Sequence, residues 1–580
     1  MRRALVALVL VSVTAAMAGP ACAAPQGAGG RFDRPQQGFS PAETTLRPGT
    51  PEQAGLDPAP IDRALGRIAA WTEPTPGRPH PMFAGAVALL AHDGRVVRHE
   101  AYGRELRYAD ARGTELPPQQ QEPARPDTIF DVASLTKLFT SIAVLQQVES
   151  GAVRLDAPVA QYLPEFGGQG KAGITVQQLL THTSGLQSEV QLWKLPPQER
   201  IRSVMELTPQ HPPGTHYEYS DPNLITLGVL VSRVTGRPLD QVVRQRITEP
   251  LGMADTGYNP PPEKLPRIAA TEFQADPPRG MVRGSPHDEN AWSLGGVAGE
   301  AGIFSTAHDL GVLGQALLNG GAYGDARILS EDSVQRMLTD YNGRFPGNAH
   351  GLGFELDQRW YMSGLSSPRT AGHTGYTGTS LVLDPLSRSV VVLLTNRVHP
   401  SREWGSNNPA RVAVAQGMAE ALAVRPTRGS TAWGAPAAAP AALGTRDLGP
   451  VAGPVQVSFD AFVDTQRDPD GADPLLLESS VDGGRSWRPA RMTASGPGAP
   501  PGPQDSLAGS GHRAWWQVRA DVDAGPGEHV QLRWRYAPNE EYTGRGVLLD
   551  GISAADADRT LLDGERPGLL QPAGFTEVHR

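Results

Sequence analysis

The chain has a single cysteine in 580 residues, Cys22. Nothing after it can form a disulfide, a thiol nucleophile or a cysteine-bound metal site. Lysine is almost as scarce: of 52 basic residues only Lys137, Lys171, Lys194 and Lys264 are lysine, and the other 48 are arginine. Runs of like charge are missing, and the net charge is −9. A mildly acidic chain without a basic stripe excludes nucleic acid as the main partner. Beyond the N-terminus no apolar run reaches the length of a transmembrane segment. The chain also lacks Gly-x-Ser-x-Gly, the nucleophile turn of α/β-hydrolases, and His-Glu-x-x-His, the zinc helix of metallopeptidases.

The N-terminus, "MRRALVALVLVSVTAAMAGPACAAP", carries Arg2 and Arg3, then an apolar stretch, then the Ala-x-Ala character of Ala21-Cys22-Ala23. Residues 1–23 read as a secretory signal peptide, so the chain is expected to be exported, periplasmic or secreted. Acylation of Cys22 as a lipoprotein is the alternative; the preceding "GPA" lacks the large aliphatic residue such signals carry.

Residues 24–44 are polar and rich in Gly and Pro, and are expected to be a disordered lead-in. Residues 45–424 mix two periods. "LDPAPIDRALGRIAAW" places Ile61, Leu65, Ile68 and Ala69 on one helical face. "AGAVALLAHDGRVVRHEAYG" and "TSLVLDPLSRSVVVLLTN" read as strand pairs turning at His92-Asp93-Gly94 and at Asp384-Pro385. Between them lie helical patterns, among them "SDPNLITLGVLVSRVTG" and "HDLGVLGQALLNGG". Strands open and close this region, which predicts one sheet built from both ends around a helical insertion. Residues 425–453 are linker-like in composition, rich in Pro, Ala and Gly. Residues 454–580 alternate apolar and polar positions between Gly-rich turns, the pattern of an all-β sandwich. The expected fold is therefore α/β (α+β), followed by a β-sandwich domain.

One of the four lysines stands in "FDVASLTKLFTSIAVLQQVESG", three residues after Ser134 and at the head of an apolar helix with Leu138, Ile142, Leu145 and Val148 on one face. Residues at i and i+3 share a helical face, so the Lys137 amine can reach the Ser134 hydroxyl. A serine hydroxyl needs such a base to become a nucleophile. The helix N-terminus and burial both disfavour the ammonium, so a partly neutral Lys137 is expected to act as that base.

Further on come "YEYSDPN", with Tyr219-Ser220-Asp221, and "GHTGYTGTSLVLDP", with His373-Thr374-Gly375 on a strand. The order Ser-x-x-Lys, Tyr-Ser-Asn/Asp, Lys/His-Thr-Gly resembles the penicillin-recognising serine hydrolases. The resemblance is to their class C β-lactamase-like branch, with its penicillin-binding proteins and carboxylesterases, and it covers about residues 45–422. It implies a β-lactamase/transpeptidase-like sheet flanked by helices with a helical subdomain, and an enzyme without a cofactor. By resemblance, Ser134 is the acyl-enzyme nucleophile, and Lys137 and Tyr219 share the acid–base work. Asp221 takes the third place of the Tyr-x-Asn element. His373, Thr374 and Gly375 line the substrate strand, and the N–H groups of Ser134 and Tyr376 form the oxyanion hole. Tyr217 is the competing phenol; Tyr219 is preferred because it opens the Tyr-Ser-Asp triplet.

Two departures stand out. Asp221 replaces an expected amide, a role Asn223 is placed to take over. His373 replaces the lysine of many members, and a neutral imidazole grips a substrate carboxylate less firmly. Both favour a modest peptidase or an esterase over efficient β-lactam hydrolysis. The implied substrates are small molecules or peptides: a D-alanyl cell-wall peptide, an ester or a β-lactam. The alternatives are a penicillin-binding envelope module that acylates and turns over slowly, or a binding protein acting through its sandwich.

His287-Asp288-Glu289 do not make a metal site, since consecutive residues rarely converge on one ion. Glu300 in "GVAGEAG" stands where the resemblance expects histidine. The C-terminal part resembles jelly-roll modules appended to secreted bacterial peptidases. Trp487, Trp515, Trp516 and Trp534 could stack on an envelope polysaccharide, although alternation sends at least half of them to the core. Asp470, Asp473 and Asp550 are candidates for calcium.

Overall fold

A computed structural model describes residues 30–579 except 436, 469–470, 540–543 and 558. The predicted signal peptide, Cys22 and Asp470 lie outside the described residues.

The central sheet grows from both ends of the first domain. Strands β1 (Arg47–Pro48), β2 (Gly85–His92) and β3 (Arg95–Leu106) meet β4 (Glu355–Leu356), β5 (Ala371–Thr374), β6 (Ser380–Asp384) and β7 (Ser389–Thr395) in the order β1-β3-β2-β7-β6-β5-β4. β1 pairs with β3 in parallel, and the other pairings along this order are antiparallel. The β2–β3 turn places Asp93 and Gly94 at φ 47° and 76°, the left-handed pair of a tight hairpin.

Both faces of the sheet are covered, so β2 is apolar at nearly every position. Its period of two sends Val87, Leu89 and Ala91 into one core and Ala86, Ala88 and Leu90 into another. On the first face pack α2 (Thr136–Glu149), α3 (Asp221–Thr235) and α4 (Ala307–Leu318). On the second pack α1 (Pro58–Ala70) and α5 (Asn408–Ala421). Helix α1 buries Ile61, Leu65 and Ile68 as its pattern predicts. Helix α2 is buried from Thr136 to Gln147 all round rather than on one face, because sheet and helices enclose it.

The lead-in, where described, is packed rather than disordered. Phe32 is buried, its N–H donates to the Ala423 carbonyl at 2.7 Å, and Gly30 N–H donates to His92 Nε2 at 2.8 Å. One apolar anchor in a polar stretch is invisible to a reading by composition.

The second domain starts earlier than its alternation suggests. Strands β8 (Ala432–Gly434) and β9 (Ala441–Thr445) lie inside the linker-like segment. They join β10 (Val455–Asp464), β11 (Leu475–Ser480), β12 (Met492–Ser495), β13 (Trp515–Val522), β14 (Gln531–Tyr536), β15 (Gly546–Asp556), β16 (Leu570–Ala573) and β17 (Thr576–Val578). One sheet runs β12-β13-β10-β15-β8-β17 and the other β11-β14-β9-β16. Small Ala and Gly residues weaken the apolar signal of β8 and β9, but partners on both sides supply their ladder bonds. Trp516 and Trp534 are core residues, 1% and 0% exposed, the half that alternation buries, so they take no part in a stacking face. The Asp550 carboxylate accepts from Thr427 N–H and Arg428 N–H, and Asp473 accepts from Asn539 N–H, so backbone groups occupy both calcium candidates.

The two domains share one core. Phe462 and Leu548 of the sandwich pack with α1 and α5. Across the same boundary Arg513 Nη1 meets Asp384 Oδ2 at 2.6 Å, with both side chains fully buried. Arg513 Nη2 donates to the Leu365 carbonyl, and its guanidinium lies over Phe32. Gln416 on α5 donates to the Gly544 carbonyl at 2.9 Å.

Candidate active site

The site is organised around the N-terminus of α2. The Asp131 carboxylate accepts from Ala133 N–H at 2.9 Å and from His287 N–H at 2.6 Å, which holds the turn before the helix. Ala133 sits at φ 47°, a left-handed conformation costly for a residue with a Cβ. This turn presents Ser134 to a cleft while Lys137, one turn later, lies beneath it and is 1% exposed. Lys137 Nζ donates to Ser134 Oγ at 2.9 Å and to the Glu300 carbonyl at 3.2 Å.

The second element comes from the start of α3. Ser220 N–H donates to His182 Nδ1 at 3.0 Å, and the His182 ring stacks on Tyr219 at 4.7 Å. Tyr219 is thereby set over Lys137, whose Nζ is 4.9 Å from the ring centroid, and it lines the same cleft as Ser134. Tyr217 packs beside His350 instead, 6.1 Å between rings, and does not line the cleft.

The charge state of Lys137 differs from the neutral amine expected from the sequence. Asp221 Oδ1 lies 2.8 Å from Nζ. Burial works against the ammonium, but the Asp221 carboxylate and the Tyr219 phenol outweigh it and raise the amine above its ordinary value. Tyr219 is pushed up to about 12, chiefly by burial, with Lys137 opposing and Asp221 adding. Of this coupled pair the phenol is the group that yields its proton first.

Asn223 does not take over the amide role. It is fully buried, accepting from Ser184 Oγ at 2.6 Å and lying 3.4 Å from His182 Nδ1. Residues two apart on a helix do not face the same side, so Asp221 and Asn223 cannot both address the cleft.

The third element is β5 and the turn after it. Thr377 Oγ1 donates to the Asp131 carbonyl and Thr379 Oγ1 to the Val132 carbonyl, docking this turn onto the strand that leads to Ser134. Ser134, Tyr219, His373, Thr374, Gly375 and Tyr376 together line a cleft of about 490 Å³. The His373 imidazole is lowered to about 3 by burial and by Lys137, so it is neutral at working pH. A Cβ on Gly375 would collide with Thr379 Oγ1 and with the Val132 carbonyl. Gly375→Ala is therefore expected to push the turn off Ser134 and lower kcat by about 10²-fold, the scale of an ångström-sized misplacement; steady-state kinetics alongside a melting curve checks this.

Some cleft residues carried no sequence signal. Arg411 on α5 donates through Nη2 to the Gly375 and Thr379 carbonyls, and its Nε, buried, has no partner among the described residues. Arg397 and Arg402 stand at the mouth against Tyr376. Glu355, pushed up to about 7 by burial, lines the same cleft. Asp131 and His182 lie in the stretches "FDVASLTK" and "LLTHTSGL", but their tasks appear only once the chain is folded. His287, Asp288 and Glu289 diverge: His287 Nε2 pairs with Glu272, Asp288 accepts from Ala291 N–H, and Glu289 pairs with Arg402. Among the described residues no group of three His, Cys, Asp or Glu side chains could hold a metal ion.

Residues 78–416 match the family described as Beta-lactamase. The chain belongs to the beta-lactamase family. It is a serine hydrolase of the penicillin-binding-like kind within that family. A protein of Escherichia coli (strain K12) named "Putative D-alanyl-D-alanine carboxypeptidase" is 30% identical over 397 residues, 63% of this chain and 88% of its own length. Its counterpart in Escherichia coli O157:H7, with the same name, is 31% identical over the same shares. Among solved structures, a penicillin-binding protein homolog from Caulobacter crescentus aligns with a TM-score of 0.49 at 22% identity, over 63% of this chain and 99% of that one. "EstCE1, a hydrolase with promiscuous acyltransferase activity" aligns with a TM-score of 0.48 at 21% identity, over 62% and 99%. The matched region ends within α5, before the first sandwich strand, and contains Ser134, Lys137, Tyr219 and His373.

Proposed function

We propose that this chain cleaves an amide or ester through an acyl-enzyme on Ser134, with a D-alanyl peptide as the favoured substrate class. The observation that carries this reading is the 2.9 Å contact of Lys137 Nζ with Ser134 Oγ, with Tyr219 over the same amine and in the same cleft. Ionised Tyr219 takes the Ser134 proton as Oγ attacks the substrate carbonyl. The Lys137 ammonium donates to the same oxygen and stabilises both the phenolate and the forming bond. The N–H groups of Ser134 and Tyr376 receive the carbonyl oxygen as it becomes an oxyanion. Collapse of the tetrahedral intermediate breaks the scissile bond, and Tyr219 returns its proton to the leaving amine or alcohol. Water then repeats the sequence on the acyl-enzyme, releasing the acid and restoring Ser134.

Arg411 and Arg397 supply the positive charge a substrate carboxylate needs, which neutral His373 does not; Arg402 is already paired with Glu272 and Glu289. The name of the Escherichia coli relatives supports a peptide ending in D-alanyl-D-alanine. Export through residues 1–23 belongs to this reading, since such a substrate lies outside the cytoplasm. No helix among the described residues is long and apolar enough to cross a membrane.

The test uses three probes on the purified chain: a p-nitrophenyl ester, a peptide ending in D-alanyl-D-alanine, and a fluorescent penicillin. Turnover of ester or peptide is expected, with a transient acyl mass on the proteolytic fragment that contains Ser134. A penicillin adduct that persists without turnover of the other two would replace the hydrolase reading by the slow acylating module. An acyl mass on a different fragment would overturn the assignment of Ser134.

A further inference from the structure

Position 221 holds the charge that most sharply distinguishes this site from one with an amide in the Tyr-x-Asn element. The Asp221 carboxylate is 2.8 Å from Lys137 Nζ, and Oδ1 has no hydrogen-bond partner besides this ion pair. Its side chain is 18% exposed and does not line the cleft, so it meets the lysine rather than the substrate.

We propose that Asp221 is a positioning residue that locks Lys137 as a permanent ammonium, leaving Tyr219 as the sole base and setting the enzyme to work best at alkaline pH. The inference rests on the acyl-enzyme reading above. An amide at this place would still accept from Lys137, but it would remove the negative charge that opposes ionisation of Tyr219.

The other titratable groups around Lys137 leave Asp221 in control. Glu300, from the loop before α4, is fully buried, and neither carboxyl oxygen has a hydrogen-bond partner among the described residues. Burial, then Asp288 and Asp221, raise it well above the usual carboxylate range, which keeps it neutral. Asp288 is raised to about 6 by burial and then by Asp221, with one oxygen engaged by Ala291 N–H at 2.7 Å. His182 and His373 are both lowered by burial and are neutral. Glu355 lies across the cleft beside Arg411 and titrates near 7. Of these carboxyl groups Asp221 is the one in contact with the amine, and it carries the pairing charge. Glu300 fits this scheme: a neutral acid beside the pair adds no second anion, whereas a second anion would suppress the phenolate further.

The sign follows from which form works. Tyr219 acts as a base only when ionised, so kcat/KM rises with pH until the phenol has titrated, about 12 in this chain. Each unit by which the base's pKa falls multiplies its ionised fraction at pH 7 by about ten. Asp221→Asn removes a contribution that raises both Tyr219 and Lys137.

The experiment is the pH profile of kcat/KM for a p-nitrophenyl ester, from pH 6 to 10, in wild type, Asp221→Asn and Asp221→Ser, with circular dichroism at each pH. Wild type is expected to climb through the whole range. Asp221→Asn is expected to gain about tenfold or more at pH 7, its rising limb moved down by at least about one unit. A wild-type plateau below pH 8 overturns the proposal even if no variant folds. Superimposed profiles, or folded variants inactive at every pH, overturn it as well. Failure of the underlying reading looks different: Ser134→Ala would then keep its turnover.

Discussion

Replacing Ser134 by alanine is expected to reduce ester and peptide turnover on the order of 10⁶-fold, the scale of deleting a serine nucleophile whose partners act as a unit. The side chain contributes little else. Ser134 is partly exposed at the cleft and accepts one hydrogen bond from Lys137. The surrounding helix is held by Leu138, Phe139, Ile142 and Leu145, all fully buried. The melting temperature should therefore stay near that of the wild type while the acyl mass on the Ser134 fragment disappears. On the proposed mechanism activity should not fall to that of water, because Lys137, Tyr219 and the two proposed N–H donors would still stabilise an oxyanion formed by attacking water. Turnover that survives intact would place the nucleophile elsewhere.

Arg513→Met is expected to destabilise the whole chain by about 3–5 kcal/mol, the cost of stranding a buried charge. Arg513 and Asp384 are both 0% exposed and 2.6 Å apart. Asp384 ends β6, whose first residue, Ser380, follows the Tyr376 turn, and Arg513 precedes β13 of the sandwich. Without the guanidinium, Asp384 retains Leu386 N–H and the Ser387 hydroxyl but loses its cation. The double variant Arg513→Met/Asp384→Asn should recover a large part of the loss, because no ionised group is then left unpaired. Urea unfolding of the full chain measures both. A single variant as stable as wild type would show that the pair is replaceable. A loss confined to the sandwich, seen as two unfolding transitions, would show that the shared core does not couple the domains.

The sandwich was legible from period-two alternation in β10, β13 and β14, and the hydrolase strands from apolar runs ending at Gly94 and Pro385. The strands inside the linker-like segment were not, because Ala-Trp-Gly and Ala-Ala-Leu-Gly-Thr carry little apolar signal and become strands only when β14 and β15 offer hydrogen bonds. Phe32 shows the same limit: it orders the lead-in by sitting between Phe462 and two arginines that lie far along the chain.

In the candidate site, the Ser134–Lys137 contact is a matter of helical spacing and could be read directly. The choice of Tyr219 over Tyr217 followed from its motif, and the fold adds the reason: His182 stacks on one ring and not in the same way on the other.

By itself the sequence determined which side chains could do chemistry together, because i and i+3 on a helix, alternation on a strand and the order of three short motifs are local properties. Only the tertiary structure decided the charge Lys137 carries, the isolation of Asn223 from the cleft, and the placement of Arg397 and Arg411 along it. Those depend on electrostatics and burial between residues distant in the chain. A buried amine is pulled toward neutrality by its surroundings until a single carboxylate, brought within 2.8 Å by the packing of α3 against α2, reverses the balance.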